Sequence, residues 1–380
     1  MTPRKVYLDN AATTQLDPRV AAAMSAAEQT AWGNASSVHG AGTAAARAVE
    51  RARMEIASRT GVSPDEIIFT SGGTESNNLA ILGLAFARKP AGFRVAFSAV
   101  EHPSVSEPAR WLGRLGAKVV RIPVDARGLI KLPALENALK AGLDLVSVMH
   151  ANNEVGTVQP VVEIASLCRR HGAVFHTDAC QSFGKLPLEP AKIGAGLVSV
   201  NAHKIHGPKG VGALYARKGL KFDAIYRGGG QEGGLRSGTL NAPGIAGFGA
   251  AASLCSAEEC ARMTLLRDFF AASVLCAIPG SALNGDARFR LCNNVNISFE
   301  GVSSGSLLLK LSAKGIYVSS GSACAAGKNR PSPVLLAMGL GRERASSSLR
   351  FSLSRYTEKR DLTFVLKELS KGVSAERGNA

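Results

Sequence analysis

The 380-residue sequence contains no uninterrupted apolar run of about 18 residues, so no segment reads as a membrane span. Its opening, Met1-Thr2-Pro3-Arg4-Lys5-Val6-Tyr7-Leu8-Asp9, lacks the apolar stretch of a secretion signal, and the expected location is the cytoplasm, with no membrane partner. Cysteine is sparse and odd in number: seven residues, at 168, 180, 255, 260, 276, 292 and 324, none in a CxxC pair. That excludes a disulfide framework and indicates no metal site. Acidic residues are also short, 29 against 45 basic, which leaves a formal charge of +16. Such an excess attracts anionic partners over a Debye length. The basic residues are dispersed, however, and no nucleic-acid module is recognisable, so the charge reads first as a solvated basic surface. The polar tail after Lys371 is expected to fray.

What is present is a chain 46% hydrophobic and long enough for two domains. Seven short apolar runs alternate with amphipathic stretches: Ile67 to Phe69, Arg94 to Phe97, Val119 to Ile122, Leu145 to Met149, Ala173 to Phe175, Leu197 to Val200 and Val211 to Tyr215. That alternation predicts an α/β fold with a mostly parallel seven-stranded sheet wrapped by helices. A glycine-rich stretch, 228–239, then leads out of this region, followed by an alanine-rich helical run from Ile245 to about Leu275. Asn294 to Phe299, Ile316 to Ser319 and Leu349 to Leu353 read as strands of a smaller α+β domain. The expected division is a large domain over 15–255 and a small one formed by 1–14 with 256–380.

Polar residues follow the apolar runs, where a parallel sheet delivers side chains to a ligand crevice. Lys204 stands after Leu197 to Val200, and Asp178 after Ala173 to Phe175. A lysine that can hold an aldehyde and an acid that can keep a pyridine nitrogen protonated suggest pyridoxal phosphate. The competing reading of Lys204 is a surface lysine after a strand. The cofactor also needs a phosphate cradle, and Thr70-Ser71-Gly72-Gly73-Thr74 supplies a glycine turn that opens a helix. Taken alone, such a turn does no more than connect a strand to a helix.

Cys324 is unlike the other cysteines, because Ser322-Ala323-Cys324-Ala325-Ala326-Gly327 surrounds it with small residues. Lys328 and Arg330 follow closely and would favour a thiolate if the loop brings them near. Beside a pyridoxal constellation, such a thiol suggests attack on a bound substrate, with the sulfur of cysteine as the target.

Together these segments resemble the NifS/IscS-like cysteine desulfurases among the class V pyridoxal-phosphate enzymes. The likeness runs from Tyr7-Leu8-Asp9-Asn10-Ala11-Ala12 through Glu101-His102-Pro103, Asn152-Asn153-Glu154 and Arg236-Ser237-Gly238-Thr239 to Arg350-Phe351-Ser352-Leu353. It implies a fold-type I transferase. Lys204 would carry the cofactor, Asp178 would pair with its ring nitrogen, Gln181 and Asn153 would reach its ring oxygen side, and His102 would stack on the ring. Gly73, Thr74, Asn201, His203 and Thr239 of a dimer partner would hold phosphate, with Asn201 standing where the family commonly has serine. Arg350, with Asn34 and Asn153, would bind the substrate carboxylate. Turnover would convert L-cysteine to L-alanine, with Lys204 and His102 moving protons and Cys324 collecting the sulfur as a persulfide.

The implied partners are a second copy of the chain and a sulfur acceptor such as an iron-sulfur scaffold protein; a tRNA contact stays open. The alternatives are a selenocysteine lyase, a cysteine sulfinate desulfinase, or, from another class, a non-catalytic scaffold or RNA-associated protein.

Overall fold

A computed structural model describes residues 5–321 and 331–378. Its central sheet is built from β2 (Ile67–Thr70), β3 (Arg94–Ser98), β4 (Lys118–Ile122), β5 (Leu145–Ser147), β6 (Val174–Asp178), β7 (Leu197–Asn201) and β8 (Gly212–Ala216), following β1 (Val6–Tyr7) in the chain. The strand order is β2-β8-β7-β6-β5-β3-β4, in which only β8 runs antiparallel to its neighbours. The seven apolar runs are these seven strands. The inner strands β5, β6 and β7 are buried at every position, which is why they read as continuous apolar runs rather than as alternating ones. β4, at the edge, keeps Lys118 and Arg121 exposed.

Helices cover both faces. One core layer packs Phe69, Val146, Phe175, Val198 and Val200 against α1 (Pro18–Thr30), α2 (Gly40–Thr60), α5 (Leu132–Lys140), α6 (Val161–Arg170), the short α7 (Pro190–Ile193) and α8 (Ala242–Ser253). The other packs Ile68, Val95, Leu145, Leu197 and Leu214 against α3 (Gly73–Ala87) and α4 (Pro103–Arg114). A separate core joins α9 (Ala257–Ala277), β10 (Asn294–Phe299), α10 (Ser304–Ala313), β12 (Ser348–Ser352) and α13 (Lys359–Gly378). β9 (Ser281–Leu283) completes a three-stranded antiparallel sheet with β10 and β12. The short helices α11 (Pro333–Ala337) and α12 (Arg342–Ser346) precede β12. The first strand, β1, pairs in parallel with β11 (Ile316–Tyr317).

Two expectations are corrected here. The helical run from Ile245 to about Leu275 is two helices, because the Ser256 side chain accepts from the Glu259 amide and caps a new start. Between Lys371 and Gly378 the chain does not fray: α13 continues to Gly378, burying Leu362, Val365, Leu369 and Val373 at helical spacing. Ion pairing of Glu376 with Lys310 and a bond from Arg377 Nε to the Glu300 carbonyl hold its end. Among the described residues no helix is long and apolar enough to cross a membrane, and no group of three or more His, Cys, Asp or Glu side chains could hold a metal ion.

Candidate active site

β6 and β7 are parallel neighbours, so their carboxyl ends open on the same side of the sheet. β6 ends in Asp178 and β7 in Asn201, with His203 and Lys204 in the turn that follows. All four line one cavity of about 270 Å³. Asp178 is buried. Its Oδ1 accepts from the Cys180 amide at 2.9 Å and its Oδ2 from Asn77 Nδ2 at 2.7 Å. Lys204 Nζ donates to the carbonyls of Ala11 and Ala12, which the N-terminal segment brings across from β1. Burial, and then the nearby Arg350 charge, pull this ammonium down to about 8, so a free amine is accessible close to neutral pH.

The polar end of the cavity is the N-terminus of α3. Gly73 and Thr74 line it, and no side chain caps this helix among the described residues, so its first amides are open to an anion. Glycine is required at 73, because a Cβ there would lie 2.4 Å from Cys180 Sγ. Asn201 adds a buried Oδ1 without a hydrogen-bond partner among the described residues. His203 pairs through Nδ1 with Thr13 Oγ1 at 3.1 Å; burial and the surrounding lysines 204, 209 and 185 pull it down to about 4, so the ring is neutral at physiological pH.

The wall is made by His102, Asn153, Gln181 and Arg350. Burial holds His102 below the ordinary histidine value. Gln181 Nε2 donates to the Ala11 carbonyl at 2.9 Å. Arg350, on β12, is 1% exposed; Nη1 donates to the Asn153 carbonyl at 2.9 Å and Nη2 to Asp9 Oδ1 at 2.7 Å. Its Nε has no partner among the described residues. A buried guanidinium oriented by Asp9, with a donor left over, suits a carboxylate ligand.

The structure therefore brings Gly73, Thr74, His102, Asn153, Asp178, Gln181, Asn201, His203, Lys204 and Arg350 to one cavity. Asn34 is exposed outside this cavity, its Oδ1 taken by the Ser36 amide in a turn that leads into α2. Thr239 is likewise exposed on the glycine-rich loop, away from the cavity of its own chain. Cys324, with Lys328 and Arg330, lies outside the described residues. The residues present fit pyridoxal phosphate: a depressed lysine, a fixed carboxylate, an open helix N-terminus and the spare Arg350 donor.

The model of the class-V aminotransferases matches residues 6–365. The chain belongs to this family. Class-V aminotransferases depend on pyridoxal phosphate, and the sheet described above is that of the fold-type I enzymes. The chain is 45% identical over 371 residues to cysteine desulfurase IscS of Dictyoglomus turgidum, covering 97% of this chain and 94% of the relative. It superposes on a NifS-like protein with a TM-score of 0.90 at 36% identity, covering 98% of this chain and 100% of that one. A structure of SspA in complex with cysteine matches with a TM-score of 0.83 at 35% identity, covering 93% and 99%.

Sequence reasoning missed the residues that hold the site's side chains in place. Asn77 and Ser104 join Asp178 to His102, and the carbonyls of Ala11 and Ala12 receive Lys204. Asn77 has a sequence signal, since it stands four residues after Gly73 and so on the same face of α3. The two carbonyls have none, because main-chain acceptors carry no residue identity.

Proposed function

We propose that the chain is a pyridoxal-phosphate-dependent cysteine desulfurase, converting L-cysteine to L-alanine and passing the sulfur through Cys324 to an acceptor. The observation that carries this reading is the meeting of Lys204, Asp178 and Arg350 around one cavity, in a chain 45% identical to a cysteine desulfurase. Bound pyridoxal phosphate supplies an aldehyde for amines and a ring that stores the electrons left when a Cα–H bond breaks.

The protein's part is positional and protic. The α3 amides, Thr74, Asn201, His203 and Thr239 of a second copy would hold the phosphate, and Gln181 and Asn153 would meet the ring's oxygen. Asp178, fixed by Asn77 and the Cys180 amide, stays an acceptor for a protonated ring nitrogen. Arg350 grips the carboxylate of cysteine, which aligns the Cα–H bond toward Lys204. As a free amine, Lys204 takes that proton. The Cys324 thiolate then attacks the substrate sulfur: the S–S bond forms, the Cβ–S bond breaks, and its electron pair stays with the carbon skeleton that is protonated to alanine. The persulfide on Cys324 goes on to an acceptor protein.

A large domain over 15–255 carries the cofactor and a small one, 1–14 with 256–380, carries Arg350 and Cys324. The separate cores on the central sheet and around β10 and β12 support that division. The exposed position of Thr239 supports a homodimer in which it completes the partner's site.

The test is to incubate the protein with pyridoxal phosphate, L-cysteine and a thiol reductant, and to quantify alanine and sulfide. Equal amounts from the wild type, with none from Cys324→Ala, are expected. Product from both proteins would move the reading to a lyase that does not need the loop thiol; product from neither would sink it.

A further inference from the structure

His102 starts α4 as its N-cap residue, and its Nδ1 accepts from the Ser104 amide at 3.1 Å. A backbone N–H can only donate, so Nδ1 must carry a lone pair. The Ser104 hydroxyl lies 2.8 Å from the same nitrogen, and what it does there depends on its other neighbour. That neighbour is Asn77, whose Nδ2 reaches Ser104 Oγ at 2.8 Å and Asp178 Oδ2 at 2.7 Å. An amide nitrogen has two hydrogens and no accepting lone pair, so both bonds are donations. Nδ1, already an acceptor from the amide, has no hydrogen to give, so the Ser104 hydroxyl donates to it, while Asn77 occupies one of the two acceptor sites on Oγ and so orients the hydroxyl.

Asn77, Ser104 and Asp178 are all buried, with Asn77 fully enclosed. The directions of these bonds are therefore not blurred by water.

We propose that Asn77 is a positioning residue, whose two amide hydrogens orient Asp178 and Ser104 and through Ser104 fix His102 as the tautomer protonated only at Nε2. The inference rests on the reading of this cavity as the cofactor site only for its consequence, since the bonds themselves are properties of the protein. The consequence is that His102 works as a neutral ring with a fixed Nε2–H donor. It does not work as a proton shuttle, because protonation of Nδ1 would set that hydrogen against the fixed Ser104 amide and turn the Ser104 hydroxyl away from its present bond. One amide thus connects the acid expected under the ring nitrogen to the histidine expected over the ring face, so that the two are oriented together.

The groups that bear on His102 electrostatically are Asp178 on β6, which favours its protonation, and Lys204 beyond β7, which opposes it. Glu107 and Arg110, on its own helix, line an adjoining groove with it, and Glu101 precedes it in the chain.

The experiment is nitrogen NMR of the full chain, as purified and loaded with pyridoxal phosphate, with 15N-labelled histidine and His102→Gln to identify the signal. In the wild type, Nδ1 is expected as an unprotonated acceptor and Nε2 as protonated, with no titration until pH falls below the ordinary histidine range. Asn77→Leu keeps the side-chain volume and removes both donors; the Ser104 hydroxyl then loses the bond that orients it and can turn to accept from Nδ1–H. The His102 midpoint is expected to rise by about one pH unit, the effect of one neutral hydrogen bond. Should Asn77→Leu fail to fold, Ser104→Ala removes the same hydroxyl without touching α3, and a rise in the same direction is expected.

A wild-type His102 protonated at Nδ1 would overturn the proposal, as would an unchanged midpoint in the variants. The visible absorption of bound cofactor, read on the same samples, separates the two levels. A wild type that takes up no pyridoxal phosphate yet shows the Nε2–H tautomer refutes the cofactor reading alone; one that binds it with His102 protonated at Nδ1 refutes the role of Asn77 alone.

Discussion

Glu101 sits beside the site without lining the main cavity, and its environment is hostile to charge. One carboxyl oxygen takes Ser98 Oγ and the Met149 amide, the latter at 2.8 Å, and the other has no partner among the described residues. Burial pushes the group up to about 8, against the help of those two bonds. In the unfolded chain the carboxyl ionises near its ordinary value, so folding is favoured most below about pH 4, and that contribution is lost as pH rises through about 8. Glu101→Gln imitates the protonated form and is expected to flatten the fall in stability between those limits, by a few kcal/mol at pH 8, as read from urea unfolding at several pH values. Lys204→Ala, by contrast, is expected to leave the fold intact and abolish turnover, with pyridoxal phosphate removable by dialysis. At this scale part of the chemistry was legible, because Asp178 ends β6 and Lys204 follows β7, whereas Arg350, in the middle of β12, was suggested by the resemblance alone. Asn77 and Ser104 were not: a polar residue inside a helix looks the same facing water as facing Asp178.

Among the elements, α3 is the most constrained, since its first turn is wedged against the strand ends. Gly73→Ala is expected to push the helix start off Cys180 and weaken cofactor binding by roughly tenfold, the scale of modest overpacking. Cys180→Ala on that background removes the colliding sulfur, leaving a Cβ that lies 3.7 Å from the added methyl, and is expected to restore the affinity. Equilibrium dialysis of pyridoxal phosphate against both proteins checks this. The inner strands β5, β6 and β7 were readable because burial on both faces makes a parallel strand a solid apolar word. The break between α8 and α9 was not, since alanine-rich composition continues across it and a single serine hydroxyl makes the new start.

Across the whole molecule, Asp17 is the knot between the two ends of the chain. It receives Arg19 at the start of α1, and Arg355 Nη1 and Tyr356 Oη at 2.9 Å from beyond β12. The bonds from Arg19, then those from Tyr356 and Arg355, hold its carboxyl well below the usual carboxylate range. The sign is opposite to that of Glu101. The stabilisation is full above the unfolded value near 4 and is lost as pH falls toward the folded one. Asp17→Asn is expected to cost roughly 3 kcal/mol at pH 7, leaving the buried Arg355 short of a partner, and the deficit is expected to shrink below about pH 4. Unfolding curves at pH 7 and in acid measure it. No sequence pattern announces such a pairing, since 338 residues separate Asp17 from Arg355.

The same long reach has a consequence in time. The carbonyls that receive Lys204 belong to residues 11 and 12, anchored by β1 on β11 and by Asn10 on Ser352. These residues leave the ribosome well before their seats, which are synthesised more than 300 positions later, about 15 to 60 seconds at ordinary elongation rates. The nascent chain can lay down its central sheet long before it owns a finished lysine pocket, so reactive chemistry waits until β11 and β12 have been made.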